Sequence, residues 1–156
     1  AAGAHNLALA VAAKREEAVS RQPKTAAEII AQVSDTNALI IFEVLGQPVA
    51  KARPRLGRYG GIYTPTATTD QEERIRWAFL AAGYSPQTRT ASSFALLVRC
   101  YFKGKALSDW DNLGKLVSDA LNGMVWKDDR QVTMATVEKF AQDPNPRTEV
   151  RIWRRA

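Results

Sequence analysis

The sequence predicts a mixed α/β fold: a small mixed β-sheet with two main helices packed on it, preceded by an N-terminal helical extension. Three observations predict it. Leu113, Leu116, Val117, Ala120, Leu121 and Met124 recur at three and four, the period of a helix with one buried face. Residues 39–45, 94–102, 132–140 and 148–153 are β-branched and apolar runs of strand length. The two kinds of segment alternate and then close with strand, turn and strand, a pattern of helices laid on a sheet. The chain has 156 residues, 46% of them apolar, enough for about one compact domain with an appendage. The boundary falls after residue 36, giving a helical extension over 1–36 and a main domain over 37–156.

In chain order, residues 7–19 consist of good helix formers, and Pro23 separates them from a second helix whose start carries Thr25 and Glu28 at capping-box spacing. Residues 39–45 form the first strand, after which Gly46, Pro48 and Pro54 punctuate an irregular basic segment. Gly60-Gly61, flanked by Tyr59 and Tyr63, marks a hairpin over 58–63. A helix follows over 69–82, with Ile75, Ala78 and Phe79 inward and Gly83 ending it. After the strand at 94–102, where Cys100 reads as a core residue, comes the clearest helix, with Asp111 as N-cap and Gly123 near its end. The strand at 132–140, the turn Asp143-Pro144-Asn145-Pro146 and the strand at 148–153 form a closing hairpin.

Composition excludes several chemistries. With one His (His5) and one Cys (Cys100), the chain has no internal disulfide, no His/Cys zinc site and no Cys–His catalytic pair near a motif. No window approaches a membrane span, and the apolar run at 7–13 has Lys14 and Arg15 after it, the wrong order for a secretory signal. A cytoplasmic protein with no membrane partner is the expectation. The net charge of +6 lies wholly beyond residue 36, because four basic and four acidic residues cancel before it. The excess concentrates in Lys51, Arg53, Arg55 and Arg58, and again in Arg147, Arg151, Arg154 and Arg155. Between these stretches lie Asp109, Asp111, Asp119, Asp128 and Asp129. Carboxylates inside a cationic protein suit an enzyme acting on a polyanion, with metal cations relieving the repulsion; a plain solvated basic surface is the other reading.

The acidic stretch reads Asp109-x-Asp111-Asn112-Leu113-x-Lys115, Asp119-Ala120-Leu121, Trp126-x-Asp128-Asp129-x-Gln131. If the backbone is still extended at the first pair, Asp109 and Asp111 point to one side by the two-residue period. Asp111, Lys115 and Asp119 form a polar stripe at i,i+4 spacing, and the loop after the helix returns Asp128 and Asp129 toward the sheet, so that the carboxylates converge with one ammonium. Hard oxygen donors without imidazole or thiolate select Mg²⁺, with Mn²⁺ as substitute, and such ions activate water against a phosphodiester. Quieter readings stand beside this one: Asp111 as a helix cap, Asp119 paired with Lys115 for about 0.3–0.5 kcal/mol, Asp128-Asp129 as a turn. An EF-hand reading fails, because Leu113 and Ala120 occupy ligand positions of that loop.

These residues, with Lys51-Ala52-Arg53-Pro54-Arg55 and Tyr63-Thr64-Pro65 before them, resemble the RusA family of Holliday junction resolvases, often encoded by phages and prophages. The resemblance covers about residues 40–153. It implies a small α/β homodimer that binds four-way DNA junctions and introduces paired Mg²⁺-dependent nicks during recombination and repair. It further implies that Asp109, Asp111 and Asp129 are metal-site acids, with Asp128 a weaker candidate, and that Lys115 is the essential lysine. Lys51, Arg53, Arg55 and Arg58 then grip phosphates. Tyr59 and Tyr63 have two readings, stacking on unpaired junction bases or packing within the hairpin. Two other functions fit the same residues: a non-catalytic DNA-binding recombination accessory module, and a general branched-DNA or flap nuclease. Residues 1–36 are the departure from the compact family pattern.

Overall fold

The computed structural model describes residues 38–87 and 91–155, which belong to the unit Thr36–Ala156. The helical reading of 1–36 lies outside the described residues. Strand β1 (Ile40–Leu45) alternates buried and exposed residues, as one solvated face requires. A hairpin of β2 (Arg55–Leu56) and β3 (Ile62–Tyr63) precedes helix α1 (Thr66–Ala81). Then come β4 (Ser93–Tyr101), α2 (Trp110–Ala120), a 3₁₀ turn (Asp129–Gln131), β5 (Val132–Phe140) and β6 (Arg147–Arg155). Among the described residues this is the expected mixed α/β architecture with two helices.

Four strands form one sheet in the order β1-β6-β4-β5, and β2 and β3 form a separate ladder. β6 runs antiparallel to both β1 and β4, while β4 and β5 are parallel. Parallel neighbours need a crossover, and α2 supplies it. The expected closing hairpin is therefore not formed: β5 lies at the sheet edge and β6 inserts between β4 and β1. The link over 141–146 crosses the end of β4, held by bonds from Asp143 N–H to Phe102 O and from Gln142 N–H to Gly104 O. Gln142 takes φ 59° in that turn.

Helix bounds also shift for local reasons. α1 starts at Thr66 rather than 69, because the N–H groups of Thr68 and Thr69 bond to the carbonyl of Pro65. Gly83, at φ +88°, follows the helix end as anticipated. α2 begins at Trp110, so its N-cap is Asp109 and not Asp111.

One sheet face carries the core. Phe42 and Val44 of β1, Phe94, Leu96, Val98 and Cys100 of β4, and Val150 and Ile152 of β6 meet Ile75 and Phe79 of α1 and Leu113, Leu116, Val117 and Ala120 of α2. Trp126 is fully buried against Phe94, with ring centroids 5.7 Å apart, and its Nε1–H bonds to Ser118 O at 3.2 Å. The other face is mixed: Ala95, Leu97 and Trp153 are buried there beside ion pairs. Arg99 pairs with Glu138 at 2.6 Å, Arg147 with Glu149 at 2.9 Å, and the Arg147 guanidinium lies 3.6 Å from the Tyr101 ring centre. No helix among the described residues is long and apolar enough to cross a membrane.

Candidate metal and nucleic-acid site

The amphipathic face of α2 fixes what its polar side chains can do. With Leu113, Leu116, Val117 and Ala120 buried, Asp109, Asp111 and Lys115 are left exposed at the helix's first two turns. Asp109 is extended, at φ −65° and ψ 135°, and its side chain makes no capping hydrogen bond, so its carboxylate stays available. The Asn112 amide donates to it at 3.4 Å. Asp111 lies in the first helical turn, where unpaired N–H groups and the macrodipole favour negative charge. Lys115 follows Asp111 by one turn on the same side. Because Asp111 is helical, the two acids do not share the extended-strand side that sequence spacing implied.

Asp128 and Asp129 have separate duties. Asp128 caps the 3₁₀ turn, accepting from Arg130 N–H at 2.9 Å, and its guanidinium neighbour sits 3.2 Å away. Those contacts, the backbone bond first, hold the Asp128 carboxyl below its ordinary value. Asp129 is exposed and makes no such cap. Gln131 clamps this loop, accepting from Lys127 N–H at 2.8 Å and donating to Ser92 O at 3.0 Å. The loop does return to the sheet, but beside the start of β4, where Val132 pairs with Phe94. Asp109 and Asp111 stand at the other end of α2, whose 11 residues span about 16 Å. Within one chain the two acidic pairs are therefore apart, and among the described residues no group of three candidate ligands is close enough to hold a metal ion.

Two residues expected elsewhere bind each other. The Lys51 ammonium meets the Asp119 carboxylate and lies 3.8 Å from Glu72, itself 3.6 Å from Arg76. The Lys51 N–H also donates to Asn112 O at 3.0 Å, and Ala52 N–H to Thr68 Oγ1 at 3.2 Å. Lys51 thus lies along α2 and ties the basic segment to both helices. Arg53, Arg55 and Arg58 are exposed beyond this anchor. Tyr59 is 95% exposed at the hairpin tip, whereas Tyr63 is half-exposed and edges Gly57. Sequence reasoning missed the anchor because a lysine beside arginines looks like one more phosphate contact. The signal was present in Asp119, an acid with no cation of its own in the signature other than Lys115.

Exposed carboxylates on a helix end thus stand beside an arginine-rich hairpin rooted at the same turn of a small α/β domain. Comparison with known proteins narrows that class. The family model of endodeoxyribonuclease RusA matches residues 46–153, and the chain belongs to this endodeoxyribonuclease family. It is also similar to protein YqaN of Bacillus subtilis (strain 168), 30% identical over 135 residues that cover 72% of this chain and 94% of the relative.

Proposed function

We propose that the protein is a Mg²⁺-dependent endonuclease that resolves four-way DNA junctions by paired nicks, working as a homodimer in recombination and repair. The observation that carries this reading is the pairing of two exposed acids, Asp109 and Asp111, with Lys115 on the helix end from which the basic hairpin springs. Their donors are carboxylate oxygens alone, a set that fits Mg²⁺ or Mn²⁺. When bound, such an ion supplies an activated water and charge neutralisation at the phosphodiester. Asp109 and Asp111 hold it; Lys115 offsets charge building on the phosphate; Arg53, Arg55 and Arg58 grip the flanking backbone. Asp129 joins the other acids only from a second copy, since α2 separates them within one chain. A twofold dimer supplies two such sites, matching the pseudo-twofold symmetry of a junction.

The test is cleavage of an end-labelled four-way junction beside linear duplex and flap controls, with Mg²⁺, Mn²⁺ or EDTA. Paired nicks near the crossover that vanish with EDTA and in Asp111→Asn, while junction binding persists, are expected. Equal cutting of flaps would make the protein a general branched-DNA nuclease. A second reading, a non-catalytic DNA-binding module, draws on the separation of the acids within one chain. Junction binding with no nicking in either metal would establish it.

A further inference from the structure

The β2–β3 hairpin has two unlike faces. Its register pairs Leu56 with Ile62 and Arg55 with Tyr63. Successive strand residues point to opposite sides, so the aliphatic pair stands on one face and the Arg–Tyr pair on the other. Leu56 and Ile62 are each 76% exposed, and Tyr59 projects from the tip between them. Single exposed apolar residues are ordinary, but three large ones on one short hairpin that belongs to no core cluster are not.

Charge decides what covers them. Residues 44–69 contain no Asp or Glu, while Arg53 and Arg58 bracket the hairpin in sequence and Arg55 stands on its opposite face. A second copy of the same hairpin would set arginine against arginine. Nucleic acid instead offers phosphates to the guanidinium groups and flat apolar base faces to Leu56, Ile62 and Tyr59. Apolar side chains enter DNA where bases are unstacked, and aromatic rings stack there with little regard for sequence. The hairpin is also aimed: its root is bonded to Asn112 O and its far end leads through Pro65 into α1.

We infer that the Leu56–Ile62 face, with Tyr59 at its tip, is a wedge that occupies the branch centre of DNA and contacts the unstacked base-pair ends there. This rests on the proposed action on branched DNA and adds the element that distinguishes branched from linear substrate. Because the root sits at the first turn of α2, a wedge seated at the branch fixes how far from it Asp109 and Asp111 meet the backbone.

The experiment uses the full chain in EDTA, with a four-way junction carrying 2-aminopurine at the branch and a linear duplex of the same sequence. Wild type is expected to prefer the junction and to raise 2-aminopurine fluorescence on binding. Leu56→Thr with Ile62→Thr, which keeps β propensity, should lose about tenfold in junction affinity and most of the fluorescence rise, with duplex affinity held. Tyr59→Ala, outside the ladder, should show a smaller loss of the same kind. Replacing Arg53, Arg55 and Arg58 by Ala should weaken both substrates alike. Normal binding with unchanged junction preference in the Thr variant overturns the wedge alone, as does dissociation of that variant into monomers by sedimentation, which would assign the face to a second copy. A wild type that binds neither DNA overturns the DNA reading and the wedge with it.

Discussion

Lys51 and Asp119 illustrate how a signature residue can serve the scaffold. Both are partly buried, with Glu72, at 3.8 Å, the other acid paired to Lys51 among the described residues. Removing one partner strands the other in a place short of water, which costs more than an exposed pair is worth. Asp119→Asn should therefore lower stability by about 1–2 kcal/mol, and a cycle with Lys51→Met should show about 1 kcal/mol of coupling in urea unfolding. Coupling near zero would mean that the pair is solvated and that Lys51 is available to DNA after all. Cys100 makes the opposite case, a reactive group made inert. Burial pushes its thiol up to about 11. The native chain should then resist Ellman's reagent at pH 8 and react only on unfolding. Its raised value adds stability below the unfolded thiol's range, and that contribution fades as pH rises from about 9 toward 11. Fast labelling of native protein at pH 8 would contradict the packing of β4.

Among the elements, α2 packs tightly on the sheet at Gly114, which is buried. A Cβ there would lie 2.8 Å from Val137 Cγ2 on β5. Alanine favours a helix over glycine by about 1 kcal/mol, yet the overlap forces helix and strand apart at a cost of about 1–3 kcal/mol. Gly114→Ala should thus be neutral to destabilising, and adding Val137→Ala should restore the melting temperature; a stabilised single variant would show that α2 shifts freely. Much of this layer was legible in the sequence. The threefold and fourfold spacing of Leu113, Leu116, Val117 and Ala120 was enough to place α2 and its buried face, and β-branched runs placed the four strands. What the sequence hid was pairing, since a strand's residues do not say which neighbour receives its hydrogen bonds. β5 and β6, consecutive with a Pro-rich turn between them, look like a hairpin; the crossover through α2 puts β5 on the far side of β4. The candidate acids were legible as residues but not as a place, because their convergence was argued from the return of a loop whose landing point only the sheet register reveals. Trp126 and Gln131, quoted in the same sequence pattern, anchor that loop, the first by burial against Phe94 and the second through its two hydrogen bonds.

For the molecule as a whole, the decisive geometry is the length of α2. If Asp109 and Asp111 act with Asp129, and α2, about 16 Å long, lies between them along one chain, each working site draws on two chains. Mixing inactive variants tests this without knowing the dimer's interface. Let Asp111→Asn and Asp129→Asn each abolish cleavage, and let the two be unfolded together and refolded so that mixed dimers form. Where each site belongs to one chain, every site in a mixed dimer carries one lesion and nothing is cut. Where sites are shared, both lesions fall in one site, and the other combines an intact Asp109–Asp111 end with an intact Asp129. Mixed dimers should then nick a four-way junction on one strand only, without the paired second cut. Recovered single nicks would establish shared sites and the homodimer together. Persistent inactivity, with mixed dimers verified by mass, would mean that Asp129 does not complete the Asp109–Asp111 end of another chain.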